Sequence, residues 1–250
     1  MNQQAIGLAL SGGGARGYMH IGVLQAMDEL QCSPRYLSGC SSGAMIAALY
    51  AAGHRPKDIY HIIQQLKIYR LIKPAWSAKG LLSLSPLAKW LSQHLPKTFE
   101  ELTLPLTVNA TDLLHQKPVY FSQGPLIPAL IASSCLPVLF KPVIIGQREL
   151  IDGGVLDNLP INGLPTEGCL RWASSCNHFE DVHAPKNMFQ ITERTLRLTV
   201  NQNSLAGRAS IDLLFEPPQM GQFRVFDFHK VEAIYEVGYQ YAVEKLRKLG

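Results

Sequence analysis

The sequence predicts an α/β fold, a three-layer α/β/α sandwich with a largely parallel central sheet. The first observation behind this prediction is the alternation of apolar strand-like runs at 5–10 and 35–39 with helix-like runs at 17–30 and 43–52. The second is a glycine-rich turn after each of these two strands. Turns of this kind stand at the carboxyl ends of parallel strands, where α/β proteins bind their ligands.

The rest of the chain continues the alternation. In order, the predicted elements are helices at 56–66 and 85–94, strands at 106–111 and 119–122, a helix at 125–134, a hairpin of 143–145 and 149–151, strands at 170–173 and 211–215, and a closing amphipathic helix at 229–249. Strands and helices that follow one another in this way are typical of a sheet covered by helices on both faces.

Composition indicates one folded domain spanning residues 1–250. With 47% hydrophobic and only 17% charged residues, a chain of 250 residues can bury one sizeable core. The net charge of +4 is mild, and the basic residues are interspersed with acidic ones, which gives little support to nucleic-acid binding. The five cysteines are odd in number and scattered, so a disulfide framework is not expected.

The start of the chain shows no secretory signal pattern, because residues 1–4 lack a basic region and glycines interrupt the apolar run that follows. No stretch of the sequence reaches the ~20 apolar residues that a bilayer-spanning helix needs. We therefore expect a cytoplasmic protein with at most a peripheral contact to membranes.

The turn after the second strand reads Gly39-Cys40-Ser41-Ser42-Gly43. It stands between a strand and a helix, which is the context that a G-x-S-x-G nucleophile elbow requires, and its central serine is Ser41. Such an elbow holds the serine in a strained conformation, so Gly39 and Gly43 have a steric reason to lack side chains. An ordinary Gly/Ser loop is the alternative, but the context favours a serine acyl hydrolase.

The turn after the first strand contains three consecutive glycines, Gly12, Gly13 and Gly14, and is followed by a helix. Consecutive N–H groups without side chains, next to the positive end of a helix dipole, form a nest for an anion. The anion is either a phosphate group or the oxyanion of an acyl-transfer reaction, and the turn alone does not distinguish them.

Gly12, Gly14 and Gly17 also fit the G-x-G-x-x-G pattern of dinucleotide-binding proteins. That kind of site needs an acidic residue at the end of the second strand, about 20 residues further on. Here the second strand runs into the serine turn instead, and the nearest acidic residues, Asp28 and Glu29, lie in the intervening helix. An oxyanion hole is therefore favoured over a nucleotide-binding module.

A serine hydroxyl is a poor nucleophile at neutral pH and needs a base within hydrogen-bond reach. The best candidate is Asp152, because an apolar strand delivers it into a Gly153-Gly154 turn that lets other backbone approach closely. The competing interpretation is a turn aspartate that accepts local N–H bonds. The usual aspartate pKa of about 3.9 makes Asp152 a weak base unless burial raises that pKa.

Taken in order, the glycine turn at 12–17, the serine turn at 39–43 and the aspartate turn at 152–154 resemble the three sequence blocks of the patatin-like phospholipase family. A fourth stretch, 132–143, is similar to the segment that precedes the aspartate strand in that family. The resemblance covers roughly residues 5–165. It implies hydrolysis of lipid acyl esters with no metal and no cofactor.

Carried over position by position, the resemblance makes Ser41 the nucleophile and Asp152 its base in a Ser-Asp dyad. It assigns the oxyanion hole to the backbone of the three consecutive glycines, with Arg16 as a helper in the same turn. The implied reaction has two steps, in which an acyl-enzyme forms on the serine and is then hydrolysed. The chain departs from the family pattern at Cys40, where a small or hydroxyl residue is common, and at 135–138. Neither departure removes a catalytic group.

An α/β-hydrolase with a Ser-His-Asp triad is the competing hydrolase interpretation, since His178, His183 and His229 all follow Asp152. An elbow at Ser41 leaves one or two strands upstream, whereas the elbow of α/β-hydrolases follows several. The early elbow therefore favours the dyad. A catalytically silent scaffold is a third interpretation, and the joint presence of the serine and the aspartate disfavours it.

Segment 67–82 mixes basic, aromatic and apolar residues, as segments at a membrane interface do. A loop or lid packed on the protein is the favoured interpretation, because Trp and Leu at this spacing are more often buried than exposed. The expected partner is a lipid or another acyl-ester substrate, with a transient membrane-surface contact. The sequence carries no signal for the oligomeric state.

Overall fold

The computed structural model describes residues 4–64, 73–74, 80–178 and 208–249, together with positions 184, 188, 191, 194, 195 and 198. In this part of the chain the strands are β1 (Ala5–Leu10), β2 (Tyr36–Gly39), β3 (Lys73–Pro74), β4 (Leu82–Ser83), β5 (Leu106–Asp112), β6 (Lys117–Phe121), β7 (Val143–Ile145), β8 (Arg148–Asp152), β9 (Cys169–Ser174) and β10 (Leu213–Phe215). The helices are α1 (Tyr18–Glu29), α2 (Ser42–Ala51), α3 (Pro56–Gln64), α4 (Ser85–Leu91), α5 (Leu126–Ser133) and α6 (Val231–Arg247). Each predicted strand and helix is present with slightly different ends, and the short β3–β4 hairpin was not predicted.

Eight of the described strands form one mixed sheet in the order β10-β9-β1-β2-β5-β8-β7, with β6 also paired to β5. The pairings from β10 through to β5 are parallel, whereas β5 with β6, β5 with β8 and β8 with β7 are antiparallel. Short turns join β5 to β6 and β7 to β8, and a turn of that length permits only antiparallel pairing. The predicted α/β class with a mostly parallel sheet is confirmed.

Helices flank this sheet. The first helix, α1, packs against α6 and α3, while α2 and α5 pack on the strands β2, β5 and β8. Gly22 and Gly238 lie where the backbones of α1 and α6 touch, since a Cβ on Gly238 would meet the carbonyl oxygen of Met19. Every residue of α2 is buried or half-buried, as expected of a helix that is apolar around its whole circumference. The arrangement agrees with the predicted α/β/α sandwich.

Two strands that carry site residues end close together along β5. The parallel strand β2 ends with Gly39 opposite Val108, and the antiparallel strand β8 ends with Asp152 opposite Ala110. The turns that leave β2 and β8 therefore meet near the middle of β5. On the other side of β2, Leu10 at the end of β1 lies opposite Gly39. This register brings the glycine turn, the serine turn and the aspartate turn into one place.

Candidate active site

Ser41 lies at the elbow between β2 and α2 with a backbone φ of 50° and ψ of −120°. A positive φ at a residue other than glycine is strained and persists only where the surroundings enforce it. The turn is tightly packed on both sides, because a Cβ on Gly39 would lie 2.6 Å from the Cα of Ala44 and one on Gly43 would lie 2.5 Å from the carbonyl oxygen of Leu10. Both glycines therefore lack side chains for a steric reason.

The backbone of Ser41 is held by a side chain from a distant part of the sequence. Its N–H group donates a hydrogen bond to the hydroxyl oxygen of Ser133 at 2.8 Å. Ser133 is the last residue of α5 and is fully buried, whereas Ser41 is half-buried. The residue proposed as nucleophile is thus anchored through its backbone and still partly open to solvent.

Asp152 ends β8 and is only 3% exposed. Its N–H group donates to the carbonyl oxygen of Cys135 at 2.9 Å. Its Oδ1 accepts from the N–H of Gly154 at 2.8 Å and makes a longer contact, 3.8 Å, with the thiol of Cys40. The Ser41 side chain lies within interaction range of the same carboxyl group. Within the described part of the chain, Oδ2 accepts no hydrogen bond of regular geometry.

Burial raises the pKa of Asp152 from its usual 3.8 to about 6, while hydrogen bonds from Gly154, Ser41 and Cys40 act in the opposite direction. Removal from water penalises the charged carboxylate, which is why burial dominates. A carboxylate with a pKa near 6 is ionised at neutral pH and accepts a proton more readily than an exposed aspartate does. The burial that a useful aspartate base requires is therefore present.

The two glycines after Asp152 allow other side chains to come close. A Cβ on Gly153 would lie 2.6 Å from Oδ1 of Asn109, and one on Gly154 would lie 2.7 Å from Oδ1 of Asn158. The aspartate also caps the 3₁₀ turn that follows it, as the alternative interpretation of a turn aspartate predicts. That local role uses Oδ1 alone and leaves Oδ2 for other contacts.

The turn after β1 does not present its three glycines equally. Gly12 is buried, and its N–H group already donates to the carbonyl oxygen of Asn158 at 3.1 Å. Gly13 and Gly14 are half-buried, and in the described residues no acceptor meets either N–H group. Gly14 has a φ of 58°, which favours glycine. Of the three N–H groups predicted to form an oxyanion hole, that of Gly12 is thus occupied, and those of Gly13 and Gly14 meet no acceptor in the described residues.

Arg16 supports the same turn from within the protein. It is 3% exposed, and its guanidinium group donates to Oδ1 of Asn177 at 2.6 Å and to the carbonyl oxygen of Gly13 at 3.5 Å. Asn177 in turn donates to the carbonyl oxygen of Gly12 at 2.8 Å and to the hydroxyl of Ser11 at 3.1 Å. These contacts give Arg16 a part in shaping the glycine turn.

His20 of α1 also supports this turn. Its ring is fully buried, with Nε2 at 2.9 Å from the carbonyl oxygen of Ser11 and Nδ1 at 2.8 Å from the hydroxyl of Ser174. A carbonyl oxygen only accepts, so Nε2 carries the proton and Nδ1 accepts from the serine. Burial lowers the pKa of His20 to about 4, although the bond to Ser11 opposes the shift. The ring is therefore neutral at physiological pH.

Four residues of this site were not identified from the sequence: His20, Ser133, Asn158 and Asn177. Two of them had a usable signal, since Ser133 stands in the stretch before the aspartate strand and Asn158 follows the aspartate turn by a few residues. A polar run, 174–177, begins at the last residue of β9, and polar residues at a strand end next to β1 indicate contact with the glycine turn. His20 had no such signal.

The histidines considered for a triad do not join Asp152 in the described part of the chain. His178 follows β9 and is half-buried, and His229 is exposed just before α6. His183 lies outside the described residues. The groups that bond to the aspartate carboxyl, given above, include no histidine. The contacts of the carboxyl group favour the dyad over the triad.

The part of the chain that the structure describes holds neither a metal-ligand cluster nor a membrane-spanning helix. No group of three or more His, Cys, Asp or Glu side chains there is arranged to hold a metal ion. Over the same residues, no helix combines the length and the apolar character that crossing a bilayer requires.

Most of the segment predicted as an interfacial segment or lid, residues 67–72 and 75–79, lies outside the described residues. The described remainder forms the β3–β4 hairpin, which joins the stretch after α5 through a parallel bridge between Leu82 and Phe140. The hairpin thus packs on the same stretch that contacts Asp152 through the carbonyl oxygen of Cys135.

An exposed apolar pair stands at the end of this hairpin. Leu81 is 64% exposed and Val138 is 66% exposed, and the N–H of Leu81 lies 3.4 Å from the carbonyl oxygen of Val138. Val138 has a φ of 70°, a strained value for a β-branched residue. Lys73 and Lys141, on the paired strand and the adjacent stretch, are also exposed. We call Leu81 and Val138 the apolar tip.

Comparisons with known proteins match both the sequence and the fold. The family model described as patatin-like phospholipase matches residues 8–165. An uncharacterised NTE family protein of Mycobacterium tuberculosis is 40% identical over 160 residues, which cover 62% of this chain and 44% of the relative. Lysophospholipase NTE1 of Saccharomyces cerevisiae is 27% identical over 278 residues, which cover 96% of this chain and 16% of the relative. The chain spans less than half the length of these curated relatives.

Two solved structures share the fold. VipD from Legionella pneumophila superposes with a TM-score of 0.66 at 17% identity, covering 98% of this chain and 67% of that chain. ExoU from Pseudomonas aeruginosa, solved in complex with SpcU, superposes with a TM-score of 0.52 at 14% identity, covering 98% of this chain and 52% of that chain. At these identities the likeness concerns the arrangement of helices and strands alone.

Proposed function

The chain belongs to the patatin-like phospholipase family, and we propose that it is a serine acyl-ester hydrolase that acts on lipids through a Ser41–Asp152 dyad and a glycine oxyanion hole. The observation that carries the proposal is a strained serine at a strand-to-helix elbow within range of a buried carboxyl group whose pKa burial raises. The relatives named as lysophospholipases support a lipid substrate.

The first step forms the acyl-enzyme. The Ser41 oxygen attacks the ester carbonyl carbon while its proton passes to Asp152, and the carbonyl oxygen becomes an oxyanion. The receiving atom is Oδ2, because Oδ1 is held by Gly154 and Cys40. The intermediate then collapses, the alcohol leaves with the proton from the aspartate, and the acyl group stays on the serine.

The second step regenerates the enzyme. A water molecule gives its proton to Asp152 and attacks the acyl carbon. The Ser41 oxygen then leaves with that proton, and the free acid is released. In both steps the oxyanion accepts hydrogen bonds from the N–H groups of Gly13 and Gly14, which meet no acceptor among the described residues. One donor of this kind is typically worth about 10²–10³ in rate, so two of them offset a base weaker than imidazole.

The lipid surface meets the protein at the apolar tip in this proposal. Leu81 and Val138 offer exposed apolar side chains, and the exposed Lys73 and Lys141 nearby suit the anionic headgroups of a bilayer. The stretch from Ser133 to the tip also passes the active site, which places lipid near the elbow. This contact is peripheral and leaves the helices outside the hydrocarbon.

The function is tested by the hydrolysis of p-nitrophenyl esters and of lysophosphatidylcholine. We expect Ser41→Ala and Asp152→Asn each to lose at least about 10³-fold in kcat while keeping a native circular dichroism spectrum. Ser42→Ala is the matched control, because the Ser42 hydroxyl is buried without a partner in the described residues. Its removal breaks no hydrogen bond there and is expected to leave the turn unchanged. A near-normal rate for Asp152→Asn, with loss in a His178 or His229 variant, would contradict the dyad and make that histidine the base.

The membrane contact is tested by sedimentation with vesicles of phosphatidylcholine and phosphatidylglycerol. We expect Leu81→Ser with Val138→Asn to weaken binding several-fold and to leave the hydrolysis of soluble esters unchanged, because the tip touches no reacting group. Ile144→Ser is the control, since Ile144 on β7 is 70% exposed and equally apolar. Equal binding by the tip variant and the control would contradict the proposed surface.

A further inference from the structure

A chain of polar contacts joins the backbone of Ser41 to the carboxyl group of Asp152 through two side chains outside the dyad. The N–H of Ser41 donates to the hydroxyl of Ser133 at 2.8 Å. The Ser133 hydroxyl also interacts with the thiol of Cys40. The thiol in turn lies 3.8 Å from Oδ1 of Asp152. Ser133 and Cys40 are fully buried, so water does not compete for these contacts.

Each contact in this series of polar groups has a defined donor and a defined acceptor. A carboxylate oxygen only accepts, so the Cys40 thiol supplies the proton to Asp152. Burial raises the pKa of this thiol well above its usual value, and the charges of Asp152 and Asp157 add to the rise, so the thiol stays protonated. The Ser133 hydroxyl oxygen accepts a hydrogen bond from the N–H of Ser41, and its O–H donates to the sulfur of Cys40. Aligned donors of this kind polarise and strengthen one another.

We propose that Cys40 and Ser133 are positioning residues for acyl transfer. Ser133 holds the strained backbone of Ser41, and Cys40 holds Oδ1 of Asp152, so that Oδ2 stays available to the serine hydroxyl. The inference rests on the proposed function of the dyad. It also gives a role to Cys40, one of the two places at which the sequence departs from the pattern of the family that it resembles.

The surroundings of Asp152 make this role measurable. Among the described residues, the titratable groups that face its carboxyl are Cys40 from the elbow and Cys135 from the stretch after α5. Both thiols have raised pKa values because they are buried. Of the two, only Cys40 donates to the carboxylate, and that bond lowers the pKa of Asp152. Removing the Cys40 thiol therefore shifts the titration of the base, whereas serine at the same position preserves a donor.

The role of Cys40 is tested by the pH dependence of kcat/KM for a soluble p-nitrophenyl ester. Cys40→Ala is expected to move the acid limb to higher pH, because the hydrogen bond from the thiol lowers the pKa of Asp152. Cys40→Ser is expected to return the limb to the wild-type position or below. Cys169→Ala is the matched control, since Cys169 is a buried thiol on β9 that bonds to the carbonyl oxygen of Leu170. An acid limb that is the same in Cys40→Ala and in wild type would overturn this role.

The role of Ser133 is tested by the split between kcat and KM. Ser133→Ala is expected to lower kcat by about three- to tenfold, the effect of one hydrogen bond, with KM nearly unchanged. Ser134→Ala is the control, because the Ser134 hydroxyl bonds to the carbonyl oxygen of Leu130 within α5. Equal kcat values for the two variants would overturn the positioning role. Circular dichroism and thermal melting of each variant show whether a lower rate reflects unfolding.

Labelling by a fluorophosphonate separates this inference from the proposed function on which it rests. Wild-type protein is expected to be labelled on Ser41, as seen by mass spectrometry, and Ser133→Ala and Cys40→Ala more slowly. If wild type is not labelled, the dyad itself is wrong, and the positioning role falls with it. If wild type is labelled and both variants react at its rate, only the positioning role is wrong.

Discussion

Gly12 and Asn158 are joined by two hydrogen bonds that run in opposite directions. The N–H of Gly12 donates to the carbonyl oxygen of Asn158 at 3.1 Å, and Nδ2 of Asn158 donates to the carbonyl oxygen of Gly12 at 3.2 Å. Gly12 follows the first strand, and Asn158 follows the turn that carries Asp152. This pair therefore sets the distance between the proposed oxyanion donors and the proposed base.

Asn158→Ala is expected to disturb that spacing. The backbone bond to Gly12 remains and the side-chain bond is lost, so the free energy of unfolding should fall by about 1 kcal/mol. Because the glycine turn is then held less firmly, kcat for ester hydrolysis should fall as well. Urea unfolding and steady-state kinetics measure the two effects, with the exposed Asn162→Ala as control. Lower stability with an unchanged kcat would show that Asn158 does not position the turn.

Gly43→Ala is expected to destabilise the protein strongly. The added methyl group would lie 2.5 Å from the carbonyl oxygens of both Leu10 and Ser11, and backbone atoms of β1 cannot move aside easily. We expect a loss of about 2–4 kcal/mol in the free energy of unfolding. Gly168→Ala is the control, because nothing lies within 4 Å of its Cβ position and only its φ of 67° opposes a side chain. We expect this substitution to lower the free energy of unfolding by about 1 kcal/mol. Similar melting temperatures for the two variants would contradict the packing described for the elbow.

The proposed ester hydrolysis should fall in acid with a midpoint near pH 6. Asp152 acts as a base only when ionised, and burial raises its pKa to about 6. The logarithm of kcat/KM should therefore rise with unit slope below this pH and level off above it. A soluble ester is the appropriate substrate, because lipid aggregates change with pH. A plateau that extends down to pH 4 would mean that the base is an ordinary exposed carboxylate or a different group.

Asp152→Asn should gain stability relative to wild type as pH rises. The native carboxyl has a pKa of about 6 against 3.8 when exposed, so between these values the native state holds a proton that the unfolded state has released. The free energy of unfolding of wild type then falls by on the order of 3 kcal/mol as pH rises from about 4 to 6. It stays at this lower value above pH 6. The Asp152→Asn variant lacks this dependence of stability on pH, because an amide does not titrate. Melting temperatures at pH 4.5 and 7.5 should show a widening difference in favour of the variant, and a constant difference would contradict the raised pKa.

His20→Gln should gain stability relative to wild type as pH falls, which is the opposite of the dependence expected for Asp152→Asn. Burial lowers the pKa of His20 from 6.5 to about 4, so between these values the unfolded state binds a proton that the native state does not. Wild type therefore loses stability as pH falls from 6.5 towards 4, by on the order of 3 kcal/mol, and the glutamine variant lacks this loss. Urea unfolding at pH 5 and 7 measures the difference between the two proteins. Parallel pH dependence would mean that His20 titrates normally.

Local patterns were enough to predict the fold and the family. The strand, turn and helix around Ser41 occupy fewer than 20 consecutive residues, and the steric demands of such an elbow are local, so they are legible in the sequence. The same holds for the three glycines after β1 and for the glycines after Asp152. The α/β fold and the patatin-like family are confirmed. The assignment of Ser41 and Asp152 as a dyad stays a prediction.

The tertiary structure alone decided which atoms of these turns are available for chemistry. Gly12, Gly13 and Gly14 look alike in the sequence, yet the first donates its N–H to Asn158, which lies more than a hundred residues away. The carboxyl of Asp152 becomes a stronger base only because other segments remove it from water. The sequence determines short-range geometry, because steric limits and the periodicity of strands and helices act between neighbouring residues. Burial and hydrogen-bond occupancy depend on contacts between distant segments, and these are set by the register of β2 and β8 on β5.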